Sequence, residues 1–205
     1  MNRRFRTATA IVLLATASSA WVAFHSPVQA QSSNVELTCG TPVALSTAAS
    51  TPLAIDQPID LTVIDSLVQH QVATRLIANL GLQRAQDSDV RRIALRIAES
   101  QVGELQLLRT WRSNWYPNAA STYSAESTQS LVAPILAELC TTNDFDRSFL
   151  NAMIAHDQTG IALVQAAIPQ IEHEELRTSL STYIENTKSE LRSMQQLLDR
   201  LPIVS

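Results

Sequence analysis

Beyond residue 58, apolar residues recur at steps of three and four, the spacing of helices that bury one face. This pattern predicts four long helices. The first runs from Pro58 to about Ala85 with the stripe Val63, Leu67, His70, Thr74, Ile77. Asp87, Ser88 and Asp89 then supply an N-cap and an acidic first turn for a second helix, which runs to about Trp115 before Pro117 ends it. Its stripe is Val90, Ala94, Ile97, Gln101, Glu104, Leu108, Trp111. The polar residues 117–142 read as a linker with a short helix over Leu131–Leu139. A third helix, from near Asp144 to near Pro169, carries Phe149, Met153, His156, Gly160 and Leu163. The fourth starts around His173–Glu175 and runs to Leu201, where Pro202 stops it. Its stripe is Leu176, Leu180, Tyr183, Thr187, Glu190, Met194, Leu197, Leu201.

The four helices form two hairpins of similar size, at 58–116 and 143–201. Sliding one on the other by 86 positions aligns Asp60 with Asp146, His70 with His156, Arg91 with Arg177, Glu104 with Glu190 and Leu105 with Leu191. Polar residues matching where core residues belong point to an internal duplication. Long hairpins, short turns and few glycines predict an all-α four-helix bundle with a short linker helix.

Each stripe carries one polar intruder: a histidine in the first and third helices, a glutamate in the second and fourth. His70 lies 16 or 17 residues before the first turn at 86–87, and Glu104 lies 17 or 18 after it. At about 1.5 Å per residue the two are nearly level across an antiparallel hairpin. The same count sets His156 level with Glu190. A buried carboxylate needs a hydrogen-bonding or ionic partner, so two structural pairs are expected, His70 with Glu104 and His156 with Glu190.

The start of the chain changes the setting. Arg3, Arg4 and Arg6 precede an apolar run, and Val28, Gln29 and Ala30 offer a small-residue cleavage site. Residues 1–30 therefore read as a secretory signal, with an uncleaved anchor as the rival. Residues 31–57, rich in Ser, Thr, Ala and Pro, read as a flexible extension. Cleavage removes three arginines and no acid, which takes the formal charge from −4 to −7. Such a chain suits the periplasm or the extracellular space and is a poor partner for nucleic acid or anionic membranes. No later segment is apolar enough to span a bilayer. In an oxidising compartment Cys39 and Cys140 are expected to form one disulfide, with two separate thiols as the alternative.

Metal chemistry has a foothold in the second hairpin alone. Met153 and His156 share a helical face, and Met194 lies one turn beyond Glu190. Thioether and imidazole suit Cu(I), whereas the first hairpin has Leu67 and Leu108 at the positions of the two methionines. The Glu-x-x-His element of di-iron bundles is absent. No nucleophile elbow or phosphate loop indicates an enzyme.

The stretch DRSFLNAMIAHDQTGIALV (146–164), followed by TKSELRSM (187–194), resembles the bacterial family called domain of unknown function 305. Asp146, Phe149, Met153, His156, Ile161, Glu190, Leu191 and Met194 match its motif, and Asp60, His70, Arg91 and QVGEL (101–105) repeat part of it. WRSNWY (111–116) resembles the Trp-rich end of that family's second helix. The resemblance implies a ferritin-like, exported fold of duplicated hairpins, and in some members copper binding through Met and His. This chain has Gln71 and Asp157 where the motif has its second histidine, and Leu163 where it has a methionine. The expectation is an exported, non-catalytic bundle with structural His–Glu pairs and no required cofactor. The alternative is a copper protein using Met153, His156, Glu190 and Met194. Partner and oligomeric state, including a homo-oligomer, stay open.

Overall fold

The computed structural model describes Cys39 and residues 57–202. The expected signal segment at 1–30 and nearly all of the extension at 31–57 lie outside the described residues. Five helices follow in order: α1 (Ile59–Arg84), α2 (Ser88–Trp115), α3 (Ala125–Thr141), α4 (Phe145–Ala167) and α5 (Glu174–Arg200). A short 3-10 turn, Ile168–Gln170, leads from α4 toward α5. The architecture is an all-α four-helix bundle of two hairpins, α1–α2 and α4–α5, with α3 as the linker helix.

The turns show how the two hairpins interlock. Asp146, in the first turn of α4, accepts from the backbone N–H groups of Gln86 (3.0 Å) and Asp87 (2.7 Å), in the turn of the first hairpin. Asp60, in the first turn of α1, accepts from the N–H groups of Glu172 and His173, both at 2.9 Å, in the turn of the second. Each hairpin thus satisfies donors that the other leaves open at its helix start. This reciprocity requires α1 and α4 to run antiparallel. Two further equivalents each act within one hairpin. Arg91 donates to the carbonyl of Ala85, and Arg177 donates to that of Ile171.

The apolar core divides into two clusters. One gathers Ile77, Ile97, Phe149, Leu150, Met153, Met194 and their neighbours near the first turn. The other gathers Ile64, Leu67, Leu105, Leu108, Val164, Leu176 and Leu180 near the second. Between them each long helix contributes polar residues: His70, Gln71 and Thr74 from α1, Gln101 from α2, His156 and Asp157 from α4, Thr187 from α5. This polar waist crosses the middle of the bundle.

The two hairpins are not equally covered. α3 packs against α1, so α1 buries residues around nearly its whole circumference. α3 is also longer than the expected Leu131–Leu139. It starts at Ala125, because Ser124 and Ser127 form a reciprocal capping box whose polar residues hide from a hydrophobic pattern. The linker ahead of it is pinned by Asp65, fully buried on α1, which accepts from Arg112 Nε at 2.5 Å and from the backbone and hydroxyl of Thr122. Cys140 near the end of α3 forms a disulfide with Cys39, with Cα atoms 5.5 Å apart. Among the described residues no helix is long and apolar enough to cross a membrane.

Candidate functional site

The polar waist is centred on a pair of histidines. His70 and His156 stack face to face, with ring centroids 4.0 Å apart and planes 6° from parallel. They are equivalent residues of the duplication, 86 positions apart. Two copies of one position meet only where the two hairpins face each other symmetrically, and α1 against α4 is that seam. Burial, with His156 next in effect, drives His70 down to about 3, so its ring is neutral. Burial also lowers His156, opposed by its bond to the His70 backbone.

The hydrogen bonds assign one tautomer. Thr74 donates its hydroxyl proton to the carbonyl of His70, at 3.0 Å. His156 Nε2 lies 3.1 Å from that same hydroxyl oxygen and 3.3 Å from the His70 carbonyl. Both partners therefore act as acceptors, and Nε2 of His156 carries the proton.

The equivalent contact for His70 is missing, for a reason visible in the sequence. The residue 86 positions after Thr74 is Gly160. A Cβ there would collide with His70 Nε2 and with Tyr183 Oη. The site is therefore too tight for a threonine, and His70 Nε2 is buried without a hydrogen-bond partner among the described residues.

These contacts correct the expected His–Glu pairs. Gln71, not His70, reaches Glu104, donating to Oε2 at 2.7 Å. His156 bonds Thr74 and the His70 backbone rather than Glu190. Levelness alone misled: the histidines turn toward the α1–α4 seam, and the glutamates face away from it. Around this level α2 buries Gln101, Leu105 and Leu108, while Glu104 is half-exposed. The inward positions follow a step of four at 101–105 where the a/d spacing took three. Leu163 shifts likewise, being half-exposed beside buried Ile161 and Val164.

Glu104 and Glu190 instead border a groove between α2 and α5, the two long helices that barely pack together. The groove encloses about 380 Å³ and is also lined by Arg96, Ser100, Gln101 and Thr187. Burial, then the Glu190 charge, raises Glu104, against the pull of its Gln71 bond. Burial raises Glu190 too, opposed by Arg96 and by Ser100, whose hydroxyl lies 3.5 Å away. Asp157, the equivalent of Gln71, is a carboxyl whose ionised form Glu190 would repel. Burial first and Glu190 second push Asp157 up to about 8, and its Oδ2 has no partner among the described residues. At neutral pH this carboxyl keeps its proton.

The methionines lie elsewhere. Met153 and Met194 are fully buried in the apolar cluster next to the waist. Among the described residues, no three His, Cys, Asp or Glu side chains gather as a metal cage would require. Sequence reasoning placed Thr74 and Tyr183 on inward stripes without giving them a role, and it missed Gln71 as a member of the waist. The signal available was the mismatch of Thr74 with Gly160 and of Gln71 with Asp157 at the repeat offset.

Residues 60–198 match the family described as Domain of unknown function (DUF305), and the chain belongs to that family. Among solved structures, a DUF305 fragment from Deinococcus radiodurans is 23% identical, with a TM-score of 0.61 over 71% of this chain and 98% of that one. CopM in the Cu(II)-bound form is 22% identical, with a TM-score of 0.59 over 70% of this chain and 98% of its own. CopM in the Cu(I)-bound form is also 22% identical, with a TM-score of 0.59 over 68% and 95%. At these identities the likeness is one of fold. No curated protein sequence matches the chain.

Proposed function

We propose that this protein is an exported, non-catalytic helical-bundle protein whose histidine pair is a structural keystone rather than a ligand set. The observation that carries this reading is the His70–His156 stack itself. It is buried, neutral and anchored through His156 Nε2 to Thr74 and the His70 carbonyl, at the α1–α4 seam between the hairpins. The Cys39–Cys140 disulfide supports an oxidising compartment.

A second reading, a copper protein, is favoured by the copper-bound forms of the CopM structures. The donor types of Met153, His156 and Met194 suit Cu(I). Their placement does not. Both thioethers are sealed in an apolar cluster, His156 Nε2 is already a donor, and Glu190 lies out at the groove. An ion could reach this set only by opening the packed core.

Copper retention separates the two. The purified protein is loaded with Cu(I) or Cu(II), desalted and assayed for bound metal. The keystone reading expects no stoichiometric retention and a large stability loss in His156→Ala. One retained equivalent that disappears in His156→Ala and Met153→Leu would replace it with the copper reading.

A further inference from the structure

The structure assigns a binding site for a partly hydrated divalent cation with oxygen ligands to the groove between α2 and α5, on Glu104, Glu190 and Gln101. This is a site separate from the histidine stack and does not depend on the role given to that stack.

Three observations meet in the groove. Glu104 from α2 and Glu190 from α5 bring two carboxylates to one concave surface. A cation between them would balance two negative charges brought together by different helices. Gln101 also lines the groove, is only 6% exposed, and its Oε1 is buried with no partner among the described residues. An amide oxygen so placed costs stability unless something donates or coordinates to it. Third, α2 and α5 barely pack against each other although the other neighbouring long helices pack closely. The open face lies where these oxygens are.

The donor set selects the class of ion. The groove offers carboxylates, an amide oxygen and the hydroxyls of Ser100 and Thr187, with no imidazole, thiol or thioether in its lining. Oxygen-only ligands suit Mg²⁺, Ca²⁺ and Mn²⁺ and disfavour Cu(I). Two carboxylates are too few for a closed cage, so the ion keeps part of its water shell, as Mg²⁺ commonly does. At about 30 Å³ per water, the groove has room for an ion with its first shell. Arg96 on the rim is the cation that now opposes Glu190. It is exposed, and its side chain reaches solvent without disturbing the core.

Chelator-treated protein is titrated with Mn²⁺ and free ion is read by electron paramagnetic resonance, with Ca²⁺ and Mg²⁺ as competitors and NaCl at matched ionic strength as control. One equivalent of Mn²⁺ should bind and be displaced by Ca²⁺ or Mg²⁺ but not by Cu(I). Binding should weaken by about tenfold or more in Glu104→Gln/Glu190→Gln, which removes both charged ligands. That variant also removes the mutual repulsion, so it should fold with an unchanged or higher Tm. Gln101→Leu, which keeps both carboxylates, should weaken binding less while leaving the helix content intact. No binding to the native protein, or binding equally tight in the double variant, would overturn the assignment. Equal affinity in the double variant would mean that scattered surface acids hold the ion.

Discussion

The two halves of the polar waist began as copies and have come to different states. In the first half Gln71 donates to Glu104, and Thr74 accepts a hydrogen bond from the opposite histidine. In the second half Asp157 is a second carboxyl beside Glu190, and Gly160 offers no side chain to His70. Both halves leave polar atoms without partners among the described residues, Gln71 Oε1 and Gln101 Oε1 on one side and His70 Nε2 and Asp157 Oδ2 on the other, but the first alone makes the bonds from Gln71 to Glu104 and between Thr74 and the facing histidine. The difference teaches where constraint lies in a duplicated bundle. His70 and His156 meet each other, copy against copy, and are the same in both halves. Thr74/Gly160 and Gln71/Asp157 meet residues other than their own copies and differ.

The largest effect expected from breaking this comparison is at the histidines. His156→Ala removes the stack and a buried donor and should cost about 3 kcal/mol. His70→Ala removes the same stack together with an unpartnered nitrogen, so it should cost about 1 kcal/mol less. Urea denaturation of the two variants side by side measures the gap, and equal losses would contradict the asymmetry. Next comes Gly160→Ala. The added methyl has to displace His70 and Tyr183, and should destabilise by about 1–3 kcal/mol.

Asp157→Asn makes the second half resemble the first, putting a neutral amide beside Glu190 as Gln71 stands beside Glu104. Its signature is a change in pH dependence. The carboxyl rises from 3.8 unfolded to about 8 folded, so the folded state holds its proton more tightly. The stability from this group is complete below 3.8 and is lost as pH rises to 8. In chelator-treated buffer, Asp157→Asn should flatten that slope and be the more stable protein at pH 8 and above. His70 acts in the opposite direction. Its value falls from 6.5 to about 3, so its contribution is present above 6.5 and lost as pH falls, in both proteins. The smallest effects should be at the crossed caps. Asp60→Asn and Asp146→Asn should each cost about 1 kcal/mol, because each removes charge from two backbone bonds. Asp60→Asn should cost slightly more, since Asp60 also holds the ring of His173 at 2.6 Å.

Much of the fold was legible because its determinants are local and repeated. Helical periodicity, the Asp87 cap and the stop at Pro117 set α2, and the matches at Asp60/Asp146 and Arg91/Arg177 turned out to be equivalent contacts at equivalent turns. The start of α3 was hidden because a serine capping box has no hydrophobic signature. The site was legible in its membership and misread in its pairing. Residue counting placed His70, Glu104, His156 and Glu190 at one height, yet height does not fix rotation about the helix axis. The step of four at Gln101–Leu105 turned Glu104 to the groove, and the α1–α4 seam turned each histidine to its copy. Which hairpin faces resolve against each other is a tertiary fact that no single helix records.

The central claim is that His70 and His156 form a neutral, structural stack. Nitrogen-15 NMR of the imidazole rings, across the pH range in which the protein stays folded and with or without one equivalent of Cu(I), tests it directly. The account predicts neutral rings with no titration near 6.5, a protonated Nε2 on His156, and spectra unchanged by Cu(I). Protonation of either buried ring near its ordinary value, or a shift of the His156 nitrogens on adding Cu(I), would contradict it.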